Sequence, residues 1–108
     1  MASGKLWTQS DRFGNDIYLT EERWRHISDP DNHPEVGPHF DLIRDTIRKG
    51  RRRQDPLDPQ GWQYYHPFDD LPDDNSHVVV CVRLKMVDDD EGGAHEERFV
   101  ITAYFQLF

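Results

Sequence analysis

The chain has 108 residues, enough for one modest core, and a formal net charge of −8, with 13 Lys+Arg against 21 Asp+Glu. That balance argues against a protein that coats DNA by neutralising phosphates, and a lone cysteine, Cys81, excludes an intramolecular disulfide framework. No apolar run is long enough to span a membrane and no basic-then-apolar leader opens the chain, so a single cytoplasmic domain over 1–108, with no membrane association and fraying at 1–4, is expected.

In chain order, residues 5–19 read as a hairpin, with Leu6-Trp7-Thr8 and Ile17-Tyr18-Leu19 flanking Phe13-Gly14-Asn15-Asp16. Its Gly-Asn pair adopts positive φ at low cost. Thr20 suits an N-cap, with Glu21 and Glu22 in the first turn, where the helix dipole favours anions. A short helix through Arg23-Trp24-Arg25-His26-Ile27 follows, with Trp24 and Ile27 on its buried face. The turn formers and two prolines of Ser28–Pro34 end it. A second helix runs between Pro38, suited to a first turn, and Gly50, suited to the left-handed C′ position. Phe40, Ile43 and Ile47 make its apolar stripe, widened by Leu42. Arg51-Arg52-Arg53-Gln54 forms a basic stretch, then a turn at Asp55–Pro59, an aromatic strand Trp62-Gln63-Tyr64-Tyr65-His66, and a polar loop over Asp69–Asn75. Two long strands, Val78–Val87 and Arg98–Phe108, close the chain through the turn Asp88–Gly93.

A strand period of two gives that last pair an apolar face of Val78, Val80, Val82, Leu84 and Met86 with Phe99, Ile101, Ala103, Phe105 and Leu107. The opposite face carries Arg83 and Lys85 beside Thr102, Tyr104 and Gln106. The expected fold is α+β: an N-terminal hairpin and two helices packed on a three- to four-stranded antiparallel meander, with the polar face open.

Charge is uneven along this acidic chain. Arg44, Arg48, Lys49, Arg51, Arg52 and Arg53 cluster with Asp45 as the lone acid among them. Such a patch steers one anionic ligand to one place; equally, Arg48 and Lys49 complement a helix C-terminus and the other arginines are solvated. His26, His33 and His39 lack the spacing of a zinc site, and Asp88–Glu91 lacks that of an EF-hand. No metal or cofactor is expected. No Gly-rich phosphate loop, Gly-x-Ser-x-Gly elbow or Rossmann fingerprint occurs. Cys81 is expected to be a packed thiol, although Arg83 lies close enough in sequence to lower its pKa.

The Arg23-x-x-His26-Ile27 helix, the His33-Pro34-Glu35 segment, the second helix with its basic end, the aromatic strand and Ile101-Thr102-Ala103-Tyr104 together resemble the phage-associated branch of the barnase–EndoU–colicin–RelE-like (BECR) nucleases, over most of residues 13–108. Phe13-Gly14-Asn15 and Arg51-Arg52-Arg53 also resemble segments of small bacterial proteins, cyanobacterial among them, which implies no function. The BECR resemblance implies metal-independent, toxin-like RNA cleavage, with tRNA or another structured RNA as substrate and an antitoxin or other protein as partner. It puts His26 at a helical acid/base position, Arg51, Arg52 or Arg53 on the phosphate, and Thr102 and Tyr104 on the last strand orienting phosphate or hydroxyl. No strand glutamate corresponds to the barnase base.

The residues themselves add Arg83 and Lys85 from strand alternation, and Arg48 as a further phosphate contact. His66 is a second acid/base candidate or simply ends its strand before Pro67. Either Tyr64 or Tyr65 is free to stack on a base, since they point to opposite faces. The alternative is a non-catalytic acidic module that binds a protein as inhibitor or adaptor. A homodimer through the C-terminal strand is a third expectation.

Overall fold

The computed structural model describes residues 4–29, 31 and 39–108. Its elements are β1 (Lys5–Ser10), β2 (Asp16–Thr20), α1 (Glu21–Ile27), α2 (Phe40–Lys49), β3 (Arg51–Gln54), β4 (Gly61–Pro67), β5 (His77–Asp88) and β6 (Ala94–Gln106). The segment His33-Pro34-Glu35 and Pro38 lie outside the described residues.

The local signals act where the chemistry puts them. Gly14 turns the first hairpin at φ 88° and Gly92 turns the last at φ 85°. The Thr20 hydroxyl caps α1 by accepting the Arg23 backbone N–H at 3.1 Å. The α2 stripe buries Ile43 and Ile47 completely and packs Phe40 and Leu42 against the core.

The class is α+β, but the expected three- to four-stranded meander is wrong. Six strands form one sheet in the order β1-β2-β6-β5-β4-β3. Two features account for the difference. The basic stretch Arg51–Gln54 is itself a strand, paired antiparallel with β4 from Arg51 opposite Tyr65 to Gln54 opposite Trp62. The N-terminal hairpin joins the same sheet, β2 lying parallel to β6 at Ile17–Arg98 and Tyr18–Phe99. A free two-stranded hairpin is marginal in water; docking on β6 lets Ile17 and Leu19 become fully buried, each on the order of 1.5–3 kcal/mol. The C-terminal strand is therefore internal, between β2 and β5, and the outer strands are β1 and β3.

Both helices cover one face. Ile27 of α1 and Ile43 and Ile47 of α2 meet Ile17, Leu19, Tyr64, Val78, Val80, Val82, Val100, Ala103 and Phe105. The expected single apolar face of the last hairpin is interrupted. Cys81 pairs with Thr102, but Val82 pairs with Val100, so Ile101 is an extra residue, a β-bulge. Beyond it the phase of β6 reverses. Val100 replaces Ile101 in the core, Arg98 faces the helix side opposite Leu84, and Phe99 turns to the open face opposite Arg83. Met86 and Leu107 are exposed rather than core.

Candidate functional site

Pairing defines rows across the open face: Arg51–Tyr65–Val79–Tyr104, Arg53–Gln63–Cys81–Thr102, and Arg83–Phe99–Tyr18. The helix side carries Arg52–Tyr64–Val80–Ala103 and His66–Val78–Phe105. A cleft wraps from one face to the other at the end of β4.

The junction of α2 with β3 makes that cleft. Gly50 joins them with φ −73° and ψ 162°, extended backbone rather than the expected left-handed C′ residue. Glycine is needed there for close approach. A Cβ would lie 2.2 Å from the Thr46 carbonyl oxygen and 2.8 Å from that of Tyr65. Because β3 begins opposite Tyr65, His66 and Pro67 project past its end. The space left is a cleft of ≈ 430 Å³. Arg12 enters it from the β1–β2 turn, Lys49 from the end of α2 and Arg51 from the start of β3. Tyr65, His66 and Pro67 come from β4, and His77 from β5. Among the described residues no carboxylate lines it.

Each wall has its own support. Asp11, its side chain without solvent exposure, accepts the backbone N–H groups of Phe13 at 2.9 Å and Asn15 at 2.8 Å. It also accepts the Tyr64 hydroxyl and the Asn15 amide, and Arg52 lies 3.9 Å away. Burial pushes the Asp11 carboxyl up, but the hydrogen bonds from Tyr64, Asn15 and Phe13 outweigh it and leave it below the ordinary carboxylate range. This fixes the turn carrying Arg12, whose guanidinium donates to the Lys49 carbonyl at 3.5 Å. Burial, then the charges of Lys49 and His77, hold the His66 imidazole below its ordinary value, so it is neutral at pH 7. His77 Nδ1 is 2.7 Å from the Ser76 hydroxyl, which leaves Nε2 as its other ring nitrogen. The site can hold an anion on fixed cations and offer two imidazoles for proton transfer.

The structure unites some of the expected site residues and separates others. Arg51 and His66 share the cleft. Arg53 lies on the open face and donates to Gln63 at 2.8 Å. Arg52 lies on the helix side, 4.3 Å from the Phe13 ring and 4.6 Å from the Trp62 ring, as a packing cation. Tyr64 is core, and Tyr65 is the tyrosine left accessible. Arg48 pairs with Asp45 at 2.7 Å on the surface of α2, and Arg83 with Asp58 at 3.3 Å. Lys85 lies 5.0 Å from the Phe99 ring. Thr102 and Tyr104 belong to the open face, whereas His26 sits on α1, which packs on the opposite face. His26 and Thr102 therefore do not converge. Burial pushes the Cys81 thiol up to about 11, with Asp55 adding to it and Arg53 opposing.

Sequence reading did not single out Arg12 or His77. One signal was present: Pro67 and His77 flank a polar loop between consecutive strands, and antiparallel pairing sets such flanking residues side by side. Among the described residues no group of three or more His, Cys, Asp or Glu is arranged to hold a metal ion, and no helix is long and apolar enough to cross a membrane. No protein-family model, curated protein or solved structure matches the chain.

Proposed function

We propose that the chain binds RNA in the cationic cleft and cleaves it without a metal. The observation supporting this reading is the convergence of Arg12, Lys49 and Arg51 with His66 and His77, with no lining carboxylate among the described residues, in a chain of net charge −8. A phosphodiester is the ligand that matches such a local excess of cations. Neutral His66 takes the proton of the ribose 2′-OH, and O2′ attacks the adjacent phosphorus. The P–O5′ bond breaks as O5′ takes a proton from His77, leaving a 2′,3′-cyclic phosphate and a 5′-OH. The cations stabilise the crowded phosphorane. DNA lacks the attacking hydroxyl. This is the reaction implied by the resemblance to the BECR nucleases, carried by cleft residues in place of His26 and Thr102.

The separation of His26 from Thr102 supports a second reading, an acidic module that binds a protein partner and has lost or never had catalysis. Purified protein incubated with total tRNA in EDTA separates the two. Cyclic-phosphate ends that disappear in His66→Ala and His77→Ala but persist in His26→Ala are the expected result. Intact tRNA and intact total RNA after prolonged incubation would refute the nuclease reading and leave the binding module.

A further inference from the structure

Beside the cleft, one hydroxyl gathers a group of rings. Ser76 Oγ contacts His77 Nδ1 at 2.7 Å and accepts the Phe108 backbone N–H at 3.0 Å. The Phe108 ring is thereby laid on His77, with centroids 4.0 Å apart and planes 12° from parallel. Tyr65 stands 5.5 Å from Phe108 and 6.5 Å from His77. The Arg53 guanidinium lies 5.7 Å from the Tyr65 ring and 5.6 Å from the Phe108 ring.

Core packing does not explain this group. None of the three rings belongs to the buried cluster, and Phe108 is 51% exposed. Tyr65 and His77 also line the cationic cleft, so rings and cations form one continuous surface. Another ring–cation group of the open face differs. There Lys5 and Lys85 lie over Tyr18, which is only 7% exposed and donates its hydroxyl to Glu97. That group is locally neutralised, with Asp16, Glu96 and Glu97 lining the space beside it.

We propose that Tyr65, His77 and Phe108, with Arg53 over two of the rings, form a nucleobase-stacking subsite at the mouth of the cleft. The ligand is then single-stranded RNA with an unpaired base next to the phosphate that the cleft holds. A nucleotide joins a planar ring to an anion through one sugar, which is the pairing of surfaces found here. Stacking on aromatic faces tolerates any base, because every base has a π face. A duplex hides those faces in its own stack, so selection is for strandedness and not for sequence. The inference rests on the cleft being a phosphate site.

The test is equilibrium binding, measured by fluorescence anisotropy, of a labelled 2′-O-methyl RNA hexanucleotide, which cannot be cleaved. Inorganic tripolyphosphate serves as the competitor that has charge and no base. Phe108→Leu keeps apolar bulk and removes the ring; it is expected to weaken the hexanucleotide about tenfold and to leave tripolyphosphate affinity within about twofold. Arg51→Gln is expected to weaken both, and pairing the hexanucleotide with its complement to weaken it about tenfold. Tyr65→Leu, at a residue that also lines the cleft, is expected to weaken the hexanucleotide more than tripolyphosphate. Unchanged hexanucleotide affinity in both ring variants, or equal affinity for duplex and single strand, would overturn the subsite while tripolyphosphate binding left the cleft standing. Absence of tripolyphosphate and hexanucleotide binding would overturn both.

Discussion

Replacing Tyr64 with Phe deletes one hydroxyl from a fully packed position and asks what the Asp11 turn is worth. The ring stays in the core, where Tyr64 is 1% exposed, so no cavity of note forms. The loss is a hydrogen bond to an ionised acceptor whose side chain has no solvent exposure. Bonds of that kind contribute about 1.5–3 kcal/mol. Asp11 keeps Phe13, Asn15 and, at 3.9 Å, Arg52, which favours about 2 kcal/mol, or roughly 8 °C in Tm for a domain of this size. The effect also depends on pH. The folded Asp11 carboxyl lies below its ordinary value, so its contribution is complete above the unfolded pKa of about 3.9 and is lost as pH falls through the folded pKa. Urea unfolding of both proteins across this range is expected to show a gap of about 2 kcal/mol near neutrality that narrows to about 1 kcal/mol or less once Asp11 is protonated, when only a neutral bond is at stake. A gap below about 0.5 kcal/mol at neutral pH, or one that does not change with pH, would refute the reasoning.

Two further outcomes follow from geometry already described. Gly50→Ala puts a methyl group against two backbone carbonyls, which cannot rotate away; about 3 kcal/mol of destabilisation is expected, and a Tm within about 2 °C of the parent would refute it. Cys81, with its thiol raised to about 11 by burial, is expected to react with iodoacetamide at pH 8 more than about tenfold slower in the folded chain than in urea; equal rates by mass spectrometry would show the thiol to be accessible and ordinary.

What was legible in the sequence is what is local. Thr20, Gly14 and the Phe40–Ile47 stripe announce α1, the first turn and α2, because caps, turns and amphipathic periodicity act within a few residues. Two kinds of information were hidden. Arg51–Gln54 has no apolar alternation to mark it as a strand; its pairing depends on β4 standing beside it. The bulge at Ile101 shifts β6 by one residue and exchanges Phe99 with Val100 between faces, although both are equally strand-like. For the same reason the site was only half visible. Arg51 and His66 were readable as cation and imidazole, but Arg12 and His77 join them through contacts between distant segments.

The parallel pairing of β2 with β6 also sets an order of assembly. The β5–β6 hairpin, with its partner β4 close in sequence, closes short loops and can form early. The N-terminal hairpin has no further strand to pair with until β6 exists, and it brings together opposite ends of the described chain. Until it arrives, the side of β6 that β2 will occupy offers unpaired backbone groups, and the core lacks Ile17 and Leu19. The interval before docking is when another copy could add a strand there. At the far edge the exposure is permanent but guarded: β3 is four residues long, three of them arginine, and like charges repel a second copy that tries to pair with it.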